Sequence, residues 1–256
     1  MTNRRHDAPT FGVWLGLPVL SALSLAVALR QLYPMDLAAR WTVHPAVVAG
    51  LCWGGQLWYV GHGLDARHLG SRELFGVANA VTLIRGGLYT VVAGFVVLPP
   101  DTSLAWVPAL CYGTGVVLDK LDGVLARTVG TKTELGTRLD MAFDTFGFVV
   151  APLVAVLWGQ LPVWYLSLSA ARYVYRGGLW WRRRQGRAVF DLPDGSLATY
   201  LAGAQMVFIT VALAPASPTG IVRLLAPVVL APSLVVFGRD YLVASGRLPR
   251  QSPAEA

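Results

Sequence analysis

The amino-acid sequence predicts an all-α integral membrane protein, and three observations carry that prediction. Hydrophobic residues make up 55% of the 256 residues, charged residues only 14%, and the mean hydropathy is +0.54. An ordinary soluble domain carries about 25% charged residues. Apolar runs such as "FGVWLGLPVLSALSLAVAL" (11–29) have the length a helix needs to cross a hydrocarbon layer about 30 Å thick. The charges that remain are gathered mainly in short connectors between such runs.

Eight apolar segments follow one another, at 11–31, 46–63, 80–98, 103–119, 139–158, 162–181, 197–214 and 220–243. Before the first, "TNRRHDAPTFGVWLG" resembles the opening of a signal peptide, with a weak cleavage site at "AVAL" (26–29). The run is longer than an ordinary signal-peptide core, which predicts a retained first helix. The polar link "HGLDARHLGSRELFG" (62–76) separates the first two segments from the rest. The turns "LPPDTS" (98–103), "WGQLPVW" (158–164) and "APASPTG" (214–220) suit antiparallel neighbours. The division expected is an N-terminal pair of transmembrane helices (1–70), a six-helix unit (71–246) and a short flexible tail (247–256). Cys52 and Cys111 lie inside apolar runs and read as free thiols in packed helices.

The net charge of +7 and pI near 9.8 invite a nucleic-acid reading, but the placement of the charges argues against it. Fifteen of the 21 basic residues fall in the N-terminal tail and in 64–78, 120–138, 182–196 and 239–256, while the opposite connectors hold Arg40 and little else. This is how membrane orientation is encoded, and it predicts both termini in the cytoplasm. Trp41, Trp58, Trp106, Trp158, Trp164, Trp180 and Trp181 lie near segment ends, as an interfacial belt requires. His6, His44, His62 and His68 show no ligand spacing.

The chemistry is concentrated where the fourth segment ends and the fifth begins, in "DKLDGVLARTVGTKTELGTRLDMAFD" (119–144). Asp119 and Asp122 are three residues apart and Asp140 and Asp144 four, so on helices each pair projects from one face. A short loop at about 128–137, with Gly130 and Gly136, lets the helices run antiparallel and brings the four carboxylates together. Like charges at close range near a membrane need compensation. A hard, all-oxygen donor set without His or Cys points to Mg²⁺ or Mn²⁺. Two ions about 3.5–4 Å apart would clamp an in-line displacement at phosphorus. Gly123 lets backbone approach a ligand, Ala126 keeps the same face slim, Arg127 can fork onto a phosphate, and Gly136 leaves room beside Asp140. The plain alternative is ion pairing with Lys120, Arg127, Lys132 and Arg138 in a charged loop.

The pattern D-x₂-D-G-x₂-A-R-x₈-G-x₃-D-x₃-D resembles the signature of the CDP-alcohol phosphotransferase (CDP-alcohol phosphatidyltransferase) family. It is met at Asp119, Asp122, Gly123, Ala126, Arg127, Gly136, Asp140 and Asp144. At ordinary residue frequencies a random window matches about once in 10¹⁰. "NAVTLIR" (79–85) resembles the opening of the family's first core helix less specifically; for Asn79, Thr82 and Arg85, ligand contact, helix capping and an interfacial arginine all stay open. The resemblance covers about 75–245 and leaves the first two helices as an addition. It implies a membrane enzyme of six core helices, a homodimer, that moves a substituted phosphoryl group from a CDP-linked donor to a small alcohol and releases CMP. It further implies that Asp119, Asp122 and Asp140 bind two divalent cations, with Asp144 a metal ligand, the general base, or both. Gly123, Ala126, Arg127 and Gly136, joined by Asn79 and Thr82, would line the nucleotide site.

The implied donor is a CDP-linked lipid, ester or ether, and the active site lies on the cytoplasmic face of the cell membrane. For the acceptor, glycerol 3-phosphate, inositol phosphate, inositol and serine are all compatible. Lys132, Arg138, Arg176 and Arg182 are candidate contacts, the last two in the basic, aromatic stretch "YRGGLWWRRRQGR" (175–187), which also reads as an orientation signal with headgroup contacts. An intramembrane prenyltransferase would carry two aspartate-rich motifs in separate halves of the chain. A transporter would show related halves or broken helices. Neither feature is present in the sequence.

Overall fold

The computed structural model describes residues 45–62, 77–129, 134–190 and 196–248, without the side chains of 62, 77, 78, 122–129, 134 and 196. Among the described residues every regular element is helical. Seven α-helices follow in order: α1 (Pro45–His62), α2 (Val77–Gly94), α3 (Val107–Val129), α4 (Glu134–Leu157), α5 (Ser167–Arg184), α6 (Ser196–Leu213) and α7 (Thr219–Ala244). The expected segment at 11–31, most of the link at 62–76 and most of the tail lie outside the described residues.

Helix ends follow local chemistry. α4, α5 and α7 stop in the same way, at Gly159, Gly186 and Gly246, each left-handed with φ near +70°. In each the residue after the glycine donates its N–H five residues back (Gln160 to Ala155, Arg187 to Arg182, Arg247 to Leu242), and the glycine donates three back. This is the Schellman arrangement, which satisfies the last carbonyls and favours a residue without Cβ. α2 tightens into a 3₁₀ turn, Phe95–Val97, ahead of Pro99 and Pro100, which cannot donate to a continuing helix. The aspartate helices run further than the apolar pattern suggests: α3 continues to Val129 and α4 begins at Glu134.

Among the described residues, three helices have both the length and the apolar composition to cross a membrane: Asn79–Val97, Leu135–Leu157 and Thr219–Ala244, with Leu197–Leu213 a shorter apolar helix. α3 and α5 are interrupted by their own charges, Asp119 to Arg127 in one and Arg172 to Arg184 in the other. Exposed Leu224, Val228 and Val235 give α7 an apolar outer stretch between Arg223 and Arg239, the composition of a surface that meets lipid. Trp58, Trp106, Trp164, Trp180 and Trp181 are exposed, as an interfacial belt needs. Trp158 instead belongs to the core: it is buried, and its Nε1 donates to the Leu98 carbonyl at 2.8 Å.

α2 is the central element. It packs against α1, α3 and α4, whereas α3 and α4 scarcely touch one another. α6 closes the bundle against α3, α4 and α7, and α5 lies on α7. One apolar core, including Val92, Phe95, Val154, Ile209 and Leu213, fills the centre. A second, smaller cluster of Leu57, Val60, Leu135, Leu139 and Phe143 lies at the end where the aspartates are. There Phe143 stacks on Trp53 of α1, with centroids 5.6 Å apart and rings within 7° of parallel. Its other side lies so close to Gly86 that any Cβ there would overlap the ring.

Between the 3₁₀ turn Val163–Leu166, α6 and α7, a buried polar knot ties the bundle. The Tyr165 hydroxyl donates to Gln205 Oε1, and Gln205 Nε2 donates to the Val229 carbonyl at 2.8 Å and to Ser233 Oγ at 2.9 Å. Without competing water, such bonds between membrane helices contribute about 1–2 kcal/mol in model systems. Gln205→Leu is expected to lower stability by about that amount in thermal unfolding of the bilayer-reconstituted protein. An unchanged transition would show that the knot adds nothing.

Candidate active site

The polar residues of α2 recur at helical spacing: Asn79, Thr82, Arg85 and Tyr89 are all buried and share one face of an otherwise apolar helix. A charged side chain in such a helix has to face the bundle and find partners. Arg85, only 1% exposed, finds three. Its Nη1 donates to Asp119 Oδ1 of α3 at 2.5 Å, and its Nη2 donates to Asp140 Oδ1 of α4. The same Nη2 lies 3.2 Å from Asp144 Oδ1, close enough for an ion pair but off the hydrogen-bonding direction.

The guanidinium is therefore the hub to which both aspartate helices attach. Carboxylate oxygens of Asp119, Asp140 and Asp144 all lie within 4.8 Å of one another. Asp119 and Asp144 are about a fifth to a quarter exposed and Asp140 about half, so the cluster opens along the Asp140 side. Lys120 Nζ approaches Asp119 Oδ2 at 3.5 Å from solvent.

Arg85 and, from solvent, Lys120 against three carboxylates leave an excess of negative charge when all are ionised. Asp144 Oδ1 is buried without a hydrogen-bond partner. A convergent, hard, all-oxygen donor set with excess negative charge fits a divalent cation, and these three residues could hold one.

The structure thus brings together three of the four expected metal ligands. Asp122 lies one turn beyond Asp119 on α3, with its side chain outside the described ones; the same holds for Gly123, Ala126 and Arg127. Gly136 lies in the first turn of α4, four residues before Asp140, and Asn79 and Thr82 lie on the Arg85 face of α2.

Among the candidate acceptor contacts, Arg176 is exposed on α5, with Nη2 3.3 Å from Met141 Sδ beside Asp140. Arg182 Nη2 is engaged by the carbonyls of Ala188 and Ser245, at 3.2 and 3.0 Å. Arg138 is exposed two residues before Asp140, and Lys132 lies outside the described residues. Arg172, which the sequence reading did not single out, stands one turn before Arg176 with its guanidinium over the Phe148 ring, 5.3 Å from its centre. It lines a cavity with Leu168, Leu201, Gln205, Phe237 and Asp240.

A family model for CDP-alcohol phosphatidyltransferase matches residues 75–237. The chain belongs to this family. The match spans α2, the whole aspartate segment and all but the end of α7, and it starts after α1. No curated protein and no solved structure matches the chain. Membership makes the chain a membrane-embedded enzyme of CDP-linked alcohol chemistry, and it matches the resemblance carried by the aspartate pattern.

Removing the hub has a defined consequence. Arg85→Gln leaves three carboxylates uncompensated and is expected to cost about 3 kcal/mol, the low end for a broken buried pair because the aspartates are partly exposed. The loss should be largest in EDTA and partly reversed by millimolar Mn²⁺, read as the midpoint of thermal unfolding. A variant as stable as the parent in EDTA would show that Arg85 does not hold the cluster.

Proposed function

We propose that this protein is a phospholipid-synthesising transferase of the cell membrane. It moves a phosphatidyl group, or its ether-lipid counterpart, from a CDP-linked lipid to a small hydroxyl acceptor such as glycerol 3-phosphate or inositol phosphate. The observation that carries the reading is the convergence of Asp119, Asp140 and Asp144 within 4.8 Å in a chain of this family.

Asp119, Asp122, Asp140 and Asp144 would hold two divalent cations, Mg²⁺ or Mn²⁺. When bound, these neutralise the donor's pyrophosphate and ease departure of CMP. The remaining work falls to the chain. Arg85 fixes the carboxylates relative to one another. Gly123, Ala126, Arg127 and Gly136, with Asn79 and Thr82, line the nucleotide site.

Asp144 takes the proton of the acceptor hydroxyl as that oxygen forms its bond to the lipid phosphorus. The bond from that phosphorus to the oxygen of the CMP phosphate breaks, and CMP leaves. Asp144 suits this role because one carboxylate oxygen is buried without a hydrogen bond. Arg176, beside Met141 and Asp140, supports a place for an anionic acceptor; Arg138, Lys132 and Arg182 are further candidates. An apolar surface reaching the carboxylate end lets the donor's tails stay in the bilayer while the nucleotide stays in water. The basic connectors put that end on the cytoplasmic side. A homodimer, with the 1–70 helices appended to a 71–246 core, completes the reading.

The decisive assay is CMP release from CDP-diacylglycerol by the purified protein with a panel of alcohols. Release should require both Mg²⁺ or Mn²⁺ and an added acceptor; release without either requirement would overturn the proposal. Asp144→Asn should abolish turnover while binding of the CDP-lipid largely survives, and normal turnover in that variant would remove Asp144 as the base. Arg176→Ala should raise KM for an anionic acceptor and leave donor KM unchanged. Equal effects on both substrates would place Arg176 elsewhere.

A further inference from the structure

One turn deeper in the bundle than Arg85, the same face of α2 carries Tyr89, which is fully buried. Its ring occupies the gap between the two aspartate helices. On one side is Gly115 of α3, where any Cβ would overlap the ring. On the other is Gly147 of α4, where a Cβ would come within 2.7 Å of Cε2. Gly115 lies four residues before Asp119, and Gly147 three after Asp144. The tyrosine and its two glycines therefore form the layer directly beneath the carboxylates.

Because α3 and α4 scarcely touch, their separation depends on what lies between them, α2 on one side and α6 on the other, and Tyr89 is the α2 residue at this level. Tyr112 of α3 packs against Tyr89 with ring centres 5.2 Å apart. Neither hydroxyl has a hydrogen-bond partner among the described residues. A tyrosine buried for its hydroxyl would be hydrogen-bonded. Here the ring's bulk, matched to two side-chain-free positions, is the part that fits.

We propose that Tyr89 is a positioning residue: its ring is a spacer that sets the gap between α3 and α4, and with it the separation of Asp119 from Asp140 and Asp144. Arg85 ties the helices together from within this gap, and Tyr89 keeps them from closing further. The inference rests on the carboxylates being a metal site, but the spacing itself can be read without metal or substrate.

The test uses the full chain in lipid nanodiscs with Cys52 and Cys111 replaced by Ala. Spin labels go at Val117 and Met141, exposed positions on α3 and α4. Tyr89→Leu should shift or broaden the label–label distance, whereas Tyr89→Phe, which keeps the ring, should reproduce the parent distribution. In the unlabelled protein, Mn²⁺ binding followed by electron paramagnetic resonance should weaken about tenfold in Tyr89→Leu, the size seen when support behind a metal ligand is lost. It should stay unchanged in Tyr89→Phe.

Ile209→Ala, a core truncation on α6, serves as the stability control; it should lower the unfolding temperature without altering Mn²⁺ affinity. A Tyr89→Leu protein with parental spacing and parental Mn²⁺ affinity would overturn the proposal, however far its unfolding temperature fell. So would a Tyr89→Phe protein as impaired as Tyr89→Leu. Altered spacing in a protein whose parent neither binds Mn²⁺ nor releases CMP would uphold the spacer and overturn the transferase reading instead.

Discussion

Three carboxylates of like charge within 4.8 Å of one another cannot be held by the helices that carry them. Their mutual repulsion, strengthened where water is scarce, pushes α3 and α4 apart. The fold answers by inserting a third helix. α2 lies against both, and a single guanidinium on it bonds to Asp119 on one side and Asp140 on the other. Most of the remaining architecture serves to keep that arginine where it is. This arrangement differs from a simple antiparallel pair, in which the two aspartate helices would pack directly on each other.

Support for the hub comes from both sides of α2. Below it, Tyr89 fills the space between Gly115 and Gly147. Beside it, Phe143, the residue before Asp144, is pressed between Gly86 and Trp53. The second contact is notable because Trp53 belongs to α1, which lies before the family match. An element outside the family's own boundaries thus contributes one wall of the packing that orients α4. The glycines let rings reach backbone, and the rings fix the helices at distances the carboxylates require.

The helical segments were legible because apolar runs and Pro- or Gly-rich turns are local signals. The seven described helices fall on the seven segments expected from 46 onward, with ends shifted by five residues or fewer except the C-terminal end of α3, which runs about ten residues further. The aspartate spacing was equally legible, since three- and four-residue intervals place side chains on one face. Arg85 was only half readable. Its partners are 34, 55 and 59 positions away in the chain, and no local period reports a contact of that separation.

A better signal was present in the run of Asn79, Thr82, Arg85 and Tyr89, which marks an inward-facing polar stripe on an apolar helix. Trp158 shows the converse error. Its place near a segment end suggested the interface, but a hydrogen bond to Leu98 across 60 residues holds it inside. For the acceptor arginines, sequence offered charge without direction. The structure shows Arg182 engaged by backbone carbonyls, while Arg172 and Arg176 line up along α4.

The uneven burial of the ion-paired residues has a consequence for inhibition. Among the described residues, Arg85 is sealed and Asp140 stands about half open, so the acidic centre is most approachable from the Asp140 flank. A small molecule meant to block it gains little by competing for the guanidinium, whose two terminal nitrogens are already engaged by carboxylates. It would do better to present a cation or a chelated ion to the open flank, with a greasy arm lying along the bundle.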